Sequence, residues 1–411
     1  MVEFYVALFI MLAGAWVLGE VFQRLRQPAL VGQLLAGILM GPSLLNLVQP
    51  TQDLTTVENV AIFFILLLTG LAVKPAKIIK GGRRGALVSS ISFVLPFIAG
   101  VEIARFFGVG IVSSFIIGLT VSITAVPVNA IVLMELGLLD TELGTTVIAA
   151  GVIDDIISFI ALGMIRQFAS GVSGAGEESV IFSLVKVGLF LGAFFVCERF
   201  IQKNLVSMRI VIDQLGSKLK TPGSFIAILI FTAVGVSLLA EWAGIQPVIG
   251  AFFAGFLLSD LVGAEKLQKA DEVIRGATFG FFGPIAFTFI GTEFVFSSIV
   301  GIPLFIVTLL SVAVASKLLG GYVAARLGKF SGWESVSIGL LMNSRGFVEL
   351  VIASTAYQSH LINQSIFSLV VGVGVITTII SPIATRIAIR RTRLQQEERL
   401  MSEPRLVSDK N

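Results

Sequence analysis

The stretch Ala149–Leu162, AAGVIDDIISFIAL, places two adjacent carboxylates inside an otherwise apolar run. If this run lies in a lipid bilayer, an ionised side chain at that depth costs about 2.5–3.5 kcal/mol even on lenient insertion scales. Neighbouring residues on an α-helix point about 100° apart, so one carboxylate can face a protein partner while the other faces a cavity. A loop between two helices is the weaker alternative, because no Gly-Pro or Asn-Gly breaker lies near the pair. We therefore predict that Asp154 and Asp155 bind cations and protons.

The composition of the chain is that of an integral membrane protein. Of its 411 residues, 55% are hydrophobic and only 13% are charged, whereas a soluble domain carries about 25% charged residues. The net charge of +3 is small and does not indicate nucleic-acid binding. One cysteine, Cys197, which we expect to be buried, and one histidine, His360, exclude a disulfide within the chain and a Cys/His metal cluster. The P-loop pattern is also absent from the sequence, so we expect no nucleotide-binding domain, no cofactor and no enzymatic activity.

Apolar stretches of about 17–25 residues are long enough to cross a bilayer as helices. The sequence contains about thirteen of them. These predicted spans, numbered 1 to 13, lie near residues 4–23, 28–45, 56–73, 85–104, 109–136, 143–167, 179–198, 223–241, 246–262, 277–296, 298–325, 335–356 and 364–387. They form one membrane unit, residues 1–393, which is followed by a short polar tail of residues 394–411.

The distribution of Lys and Arg between the spans predicts the orientation of the chain, because positive residues are concentrated in cytoplasmic connections. They group after span 1, between spans 3 and 4, between spans 7 and 8, and in Arg386–Arg393. The alternate segments 49–58, 174–179 and 358–364 carry almost none. We therefore place the N-terminus outside and the C-terminus in the cytoplasm, which requires an odd number of spans.

Two segments of the chain resemble each other. QPALVGQLLAGIL begins at Gln27 and QPVIGAFFAGFL begins at Gln246. Apart from one extra residue, both share Gln-Pro, then a glycine, then Ala-Gly. Such spacings of small residues also recur by chance in membrane helices. However, the first segment opens span 2 running outward and the second opens span 9 running inward, which is the inverted-repeat architecture of secondary transporters. Spans 2–6 are therefore expected to match spans 9–13.

Spans 5 and 12 correspond under this repeat, and both contain polar or helix-breaking residues at mid-span. These residues are, in span 5, Thr124, Pro127 and Asn129, and in span 12, Asn343, Ser344, Arg345, Gly346 and Glu349. A proline kink alone would explain span 5 but not the Asn-Ser-Arg-Gly of span 12. Non-helical backbone at membrane depth is tolerated only where it is buried in protein or lines a water-filled cavity. Paired interruptions in corresponding helices therefore indicate a binding site.

Three further charged residues lie in apolar surroundings. Lys317 in span 11 is either a counter-charge to one carboxylate of the acidic pair or a lysine that snorkels to the inner membrane surface. Arg345 and Glu349 are spaced i,i+4, which favours a structural ion pair across one helical turn. Alternatively, Arg345 neutralises the ends of the interrupted helices.

The residue types in span 5 and span 6 suit a monovalent cation. By analogy with other hard cations, such an ion prefers oxygen ligands, which Asp154, Asp155, Thr124 and the free backbone carbonyls of span 5 can supply. Protonation removes the charge of a carboxylate, so a proton and a cation compete for one site. Competition combined with alternating access is sufficient for antiport.

Taken together, these segments resemble the monovalent cation/proton antiporters, in particular the branch with an Asp-Asp pair on the sixth of thirteen helices. The resemblance runs through nearly the whole membrane region and is carried by Gln27–Pro42, Gly118–Gly137, Val152–Leu162, Gln246–Asp260 and Ala315–Gly328. Span 12 departs from the pattern: many relatives have Arg-Gly-Glu where this chain has Arg345, Gly346 and Phe347, with the glutamate displaced to Glu349. That arrangement is closer to the potassium-or-sodium exchangers of plants and bacteria.

The resemblance implies a core domain of spans 4–6 and 11–13 and a dimerisation domain of spans 1–3 and 8–10. It implies that spans 5 and 12 are broken and cross beside the carboxylates, that the chain forms homodimers, and that the core moves like an elevator in the plasma membrane. By the same resemblance, Asp155 is the main cation ligand, Asp154 pairs with Lys317 in the empty state, and exchange is electrogenic.

Several functional alternatives stay open at this point. The favoured ion is Na+, with Li+ as a further substrate, and a K+/H+ or dual Na+/K+ antiporter is the first alternative. A Na+-coupled symporter of an organic anion can use a similar inverted repeat, but it needs a roomier polar cavity and no buried lysine. A cation channel is disfavoured because the sequence shows no filter segment or pore ring.

Overall fold

The computed structural model describes residues 2–72, 75–172, 177–218, 223–261 and 272–402, and the regular structure in these ranges is helical. In chain order the helices are α1 (Val2–Arg24), α2 (Ala29–Met40), α3 (Gln52–Ala72), α4 (Pro75–Phe106), α5 (Ile111–Ser122), α6 (Val126–Glu135), α7 (Glu142–Val172), α8 (Glu177–Lys203), α9 (Leu205–Lys218), α10 (Ser224–Trp242), α11 (Pro247–Leu258), α12 (272–277), α13 (Gly283–Thr292), α14 (Ser297–Val300), α15 (Pro303–Leu327), α16 (Gly332–Met342), α17 (Phe347–Gln358) and α18 (Gln364–Ser402). A π-helical turn, Thr278–Phe282, joins α12 to α13.

The predicted spans coincide with these helices, and spans 5 and 12 each appear as a pair of shorter helices, α5–α6 and α16–α17. Within the described ranges, ten segments are long and apolar enough to cross a membrane, and α2 and α11 are shorter apolar helices. Large apolar side chains such as Phe9, Phe106 and Phe231 are exposed on the outer faces, as expected for helices that contact lipid. The all-α membrane fold is confirmed, whereas the count of thirteen crossing helices stays a prediction.

The structure contradicts one sequence-based expectation, the burial of Cys197, and adds helical structure in two polar segments. The basic connection after span 7 contains the helix α9, whose 14 residues are too few to cross a bilayer. Its side chains Leu205 and Met208 pack against the apolar cluster of α10 and α11. Cys197 on α8 is exposed rather than buried. The polar tail begins as part of α18, which continues to Ser402; residues 403–411, and part of the predicted outer segment 174–179, lie outside the described residues.

The internal repeat is visible in two equivalent helix crossings. α2 packs on α13 and α11 packs on α3. A Cβ atom added to Gly37 on α2 would lie 2.8 Å from the Gly291 Cα on α13, and one added to Gly255 on α11 would lie 3.0 Å from the Gly70 Cα on α3. Gly37 and Gly255 are matched residues of the two segments, so each half of the chain packs the same glycine against the other half. The two crossings are therefore equivalent, as expected for two halves related by an inverted repeat.

The structure extends the repeat by one helix. The first matched glycine of each segment, Gly32 or Gly250, packs against the long helix that precedes it. This helix is α1 in the first half and α10 in the second. A Cβ atom added to Gly32 would lie 2.9 Å from the Gly19 N, and one added to Gly250 would lie 2.5 Å from the Ser237 Cα. Span 1 therefore corresponds to span 8, and the repeat comprises six helices in each half rather than the five that the sequence indicated.

Helix packing separates two groups of helices. In the first group, α4 packs on α5, α7 and α15, α15 packs on α16, and α18 packs on α16 and α17. In the second, α2 packs on α1 and α13, while α3 and α10 pack on α11. We call these the inner group and the flanking group. They contain the spans that were assigned to a core and a dimerisation domain, and those two roles stay predictions.

The equivalent crossings predict that Gly37 and Gly255 tolerate no side chain. In Gly37→Ala and Gly255→Ala the new methyl group meets backbone atoms that cannot rotate away, so we expect each variant to lose about 1–3 kcal/mol of stability. Thermal unfolding in detergent micelles measures this loss. Gly192→Ala on α8 is the matched control, because a Cβ there has no neighbour within 4 Å. Equal melting temperatures for all three variants would contradict the crossings.

Candidate functional site

Both interruptions that the sequence indicated are breaks in the helices. α5 ends at Ser122 and α6 begins at Val126, with Pro127 in its first turn, where the missing N–H removes no helical hydrogen bond. α16 ends at Met342 and α17 begins at Phe347. The first break is extended at Ile123 and Ala125, whereas the second begins with Asn343 in a helical turn and becomes extended at Gly346. Each break therefore leaves backbone groups at mid-span without helical partners.

The two breaks cross in direct contact. The Ala125 N–H donates a hydrogen bond of 2.8 Å to the Ser344 carbonyl. The Ser344 hydroxyl lies 2.5 Å from the Asn129 Oδ1 and 2.8 Å from the Leu341 carbonyl. A Cβ atom added to Gly346 would lie 2.7 Å from the Ala125 Cβ, so glycine permits this approach. The crossing that the resemblance implied is present.

Asp154 lies beside this crossing and is fully buried. The hydroxyls of Ser89 on α4 and Thr124 in the first break each donate to its carboxylate at 2.7 Å. The Lys317 ammonium on α15 donates to it at 3.2 Å. The Thr124 hydroxyl also lies 3.2 Å from the Met342 carbonyl, which ends α16. Buried charges must be paired and hydrogen-bonded, and Asp154 is both.

Asp155 has a different environment, although it is the next residue on α7. Its side chain is 1% exposed, and its Oδ1 has no hydrogen-bond partner in the part of the chain that the structure describes. The helical rotation between the two residues therefore separates a carboxylate with a full set of donors from one with an unused oxygen.

Two buried cations bind the carbonyl end of α5. The Lys317 ammonium donates to the Ser122 carbonyl. The Arg345 guanidinium donates to the Thr120 carbonyl at 3.0 Å and to the Val121 carbonyl at 2.9 Å. Carbonyls in the last turn of a helix lack intrahelical partners and carry the negative end of the helix dipole. The two side chains therefore neutralise the end of the half-helix that faces the acidic pair.

The positions of these side chains decide between the alternatives left open above. Lys317 is 1% exposed, so it does not snorkel to the membrane surface. Arg345 lies 3.0 Å from Glu349, and both side chains are 1% exposed. Arg345 therefore forms the i,i+4 ion pair and also neutralises the end of a broken helix. Asn343 supports the second break, because its amide donates to the Val314 carbonyl on α15 at 3.1 Å.

Two polar residues in this region were not identified from the sequence. Ser89 supplies a donor to Asp154 but lies among other small residues of span 4, which gives no signal of its own. Glu58 was assigned to the outer segment 49–58, yet it is fully buried on α3. Its carboxylate accepts hydrogen bonds from Ser354 at 2.7 Å and from Gln358 at 2.6 Å, both on α17. These bonds join the flanking group to the inner group, and an acidic residue before an apolar run was the only available signal.

A membrane protein with an inverted repeat, two crossed half-helix pairs and buried charges at their crossing is a secondary transporter by architecture. The sequence matches the family described as "Sodium/hydrogen exchanger, transmembrane" over residues 7–391. The chain therefore belongs to the sodium/hydrogen exchanger family.

Relatives and solved structures agree with this assignment. A Na(+)/H(+) antiporter of Enterococcus hirae is 29% identical over 381 residues, which cover 93% of this chain and 97% of the relative. The Na(+)/H(+)-K(+) antiporter GerN of Bacillus cereus is 28% identical over 382 residues, covering 92% of this chain and 95% of the relative. The structure of the sodium proton antiporter MjNhaP1 from Methanocaldococcus jannaschii superimposes with a TM-score of 0.68 at 16% identity, covering 94% of this chain and 99% of that one. This similarity shows the fold.

The Arg345–Glu349 pair predicts a non-additive loss of stability. Arg345→Gln leaves a buried carboxylate without its cation, and breaking a buried pair on one side costs about 3–5 kcal/mol. The double variant Arg345→Gln/Glu349→Gln places two neutral amides there, so we expect it to lose less stability than the sum of the two single variants. Unfolding in detergent micelles measures all three variants in one double-mutant cycle. Additive losses would show that the two side chains do not interact.

Proposed function

We propose that the chain is a secondary active antiporter that exchanges Na+ for protons across the membrane. The observation that carries this proposal is the contrast between the two adjacent carboxylates: Asp154 has three donors, whereas the Oδ1 of the buried Asp155 has none among the described residues. An oxygen in that position needs either a proton or a cation, because an unpaired buried carboxylate is strongly unfavourable. Asp155 is therefore the group at which the two ions compete.

The surrounding side chains suit this competition. Asp154 and Thr124 offer further oxygen atoms beside Asp155, so a cation at this position meets the hard ligands that it prefers. Lys317 compensates Asp154 when no cation is bound. A cation that approaches the pair draws Asp154 toward itself and weakens the bond to Lys317, so the lysine is a counter-charge whose pairing changes during the cycle. Exchange that moves a net charge follows if more protons than cations are carried in each cycle.

Alternating access requires that the inner group moves relative to the flanking group. The site residues lie on α4, α7 and α15 and in the two breaks, all in the inner group, so a bound ion would travel with that group. The hydrogen bonds from Ser354 and Gln358 to Glu58 cross between the groups and must break for such a movement. We place the flanking helices at a homodimer interface in the plasma membrane, with the N-terminus outside and the C-terminus in the cytoplasm. Exchange needs no cofactor.

Sodium is the proposed cation because the Enterococcus hirae relative is named a Na(+)/H(+) antiporter and two others are named probable Na(+)/H(+) antiporters. Li+ is expected to bind at the same oxygens. The second candidate is K+/H+ or dual exchange, which the name of GerN as a Na(+)/H(+)-K(+) antiporter supports for a relative of 28% identity. The symporter of an organic anion is disfavoured, because it would not need the buried Lys317, which is bonded directly to Asp154.

Exchange by the purified protein in proteoliposomes tests the proposal. Proton movement is followed with an entrapped pH dye while Na+, Li+ or K+ is added outside at a clamped membrane potential. We expect Na+ to drive proton movement that depends on the potential. Asp155→Asn is expected to abolish this proton movement, because an amide cannot take up a proton in exchange for a bound cation. Lys317→Ala is expected to slow it and to change its dependence on the potential.

Asp140→Asn is the matched control, because it makes the same change on an exposed carboxylate outside the site. It should exchange like the wild type. Normal exchange by Asp155→Asn would overturn the assignment of the site. If no cation moves protons in the wild type, the antiporter proposal fails and the symporter becomes the leading alternative.

A further inference from the structure

A small cavity lies between the two groups of helices, away from the acidic pair. Its wall on the flanking side is formed by Leu30, Val31 and Leu34 of α2. The wall on the inner side is formed by the second break, α17 and α18, through Gly346, Glu349, Leu350, Gly374, Val375 and Thr378. The cavity has room for about one water molecule.

The Glu349 carboxylate faces this cavity with an unused oxygen. Its Oε1 accepts the bond of 3.0 Å from Arg345. Its Oε2 has no hydrogen-bond partner within the described residues, although the side chain is only 1% exposed. A Cβ atom added to Gly374 would lie 3.1 Å from this oxygen. Glycine at position 374 therefore keeps open the space in front of the carboxylate.

A water molecule in the cavity would find polar partners. The Glu349 Oε2 is one, and the Thr378 hydroxyl is the other, because it donates to the Gly374 carbonyl at 2.7 Å and keeps its lone pairs free to accept. A buried water needs about 2–4 such partners. The remaining wall is apolar, so a water molecule at this position binds beside the carboxylate.

The charged groups around Glu349 connect it to the proposed transport site. Arg345 contacts it directly, and Lys317 on α15 donates to the Ser122 carbonyl, next to the α5 carbonyls that Arg345 binds. The residues that α2 and α18 contribute to the cavity carry no charge. Lys317 is also the partner of Asp154. A change in the charge of Glu349 therefore reaches the acidic pair through two buried cations, in a medium where screening is weak.

We propose that Glu349 is a further proton-binding site of the transporter, reached by water through the cavity between α2 and the α17–α18 pair. The inference rests on the proposed exchange of cations for protons. Because α2 belongs to the flanking group and Glu349 to the inner group, movement between the groups changes the hydration of Glu349. The proton affinity of Glu349 then differs between the two positions of the inner group. Glu349 thereby sets the pH at which the acidic pair exchanges protons for cations.

The pH profile of cation-driven proton exchange tests this inference in proteoliposomes. Glu349→Gln removes a negative charge near the acidic pair, so the remaining carboxylates release their protons more readily. We expect the midpoint of the profile to move to lower pH by about one unit, which is the effect of one unit charge at moderate distance in protein. Gly374→Ala fills the cavity without altering any charged side chain. It should move the midpoint in the same direction, because Glu349 without water stays protonated.

Two further variants separate the proposed role from a structural one. Gly372→Ala is the matched control on the same helix, because its Cβ would meet only the Phe294 ring at 3.7 Å; its midpoint should equal that of the wild type. The double variant Glu349→Gln/Gly374→Ala should shift no further than Glu349→Gln alone, since both changes act on one proton site.

The outcomes are distinguishable from a failure of the proposed function. If the wild type shows no cation-driven proton movement, the antiporter proposal fails. If it does, and Glu349→Gln lowers the rate equally at every pH with an unshifted midpoint, then Glu349 only positions Arg345 and the inference is overturned. If Glu349→Gln does not fold, Gly374→Ala decides alone: an unshifted midpoint overturns the inference and a shifted one supports it.

Discussion

The binding of two buried cations to the carbonyl end of α5 is the interaction on which the site depends. A helix that stops in the middle of a membrane exposes carbonyls that neither water nor lipid can satisfy at that depth. Lys317 and Arg345 together bond to the carbonyls of three consecutive residues, Thr120 to Ser122. Each cation also holds one carboxylate, Asp154 or Glu349. The broken helix, the cations and the acidic groups therefore stabilise one another, and none of them could be buried alone.

The count of charges in this cluster supports its proposed role in binding a small cation. The described carboxylates are Asp154, Asp155 and Glu349, and the described cations are Lys317 and Arg345. Fully ionised, the cluster carries one excess negative charge, which one monovalent cation or one proton neutralises. Retaining a net charge at this depth is costly, so an occupied or protonated site is favoured over an empty one. Transport that moves more than one proton requires that a further carboxylate of the cluster also changes its protonation state.

Sequence patterns predicted the parts of the molecule that rest on strong physical constraints. Long apolar runs predicted the helices, and the segments that begin at Gln27 and Gln246 predicted the inverted repeat. Their matched glycines recur because two helix backbones touch there. The pair at Asp154 and the interruptions in spans 5 and 12 were visible because polar groups inside a membrane are rare. The sixth helix of each half, α1 or α10, has no matching sequence motif. Its equivalence was recognised only from the packing at Gly32 and Gly250.

Other parts of the site could not be predicted, because they depend on which side chains the fold brings together. Ser89 has no distinguishing neighbours in sequence, and its bond to Asp154 joins residues 65 positions apart. Glu58 was taken as part of an outer loop because its acidic and polar neighbours at positions 49–57 suggested water. The helix α9 was missed because a count of membrane-length runs ignores helices of 14 residues. The cavity at Glu349 is formed by α2, near the start of the chain, together with α17 and α18, near its end.

In the proposed cycle, a cation and a proton compete for the same buried carboxylates. Calorimetric titration of the purified protein with Na+ in two buffers that differ in their heat of ionisation tests it most directly, because protons released on binding are taken up by the buffer. Competition predicts heats that differ between the buffers and an affinity for Na+ that weakens as the pH falls. Equal heats in both buffers, together with an affinity that does not change with pH, would contradict the competition and with it the proposed mechanism.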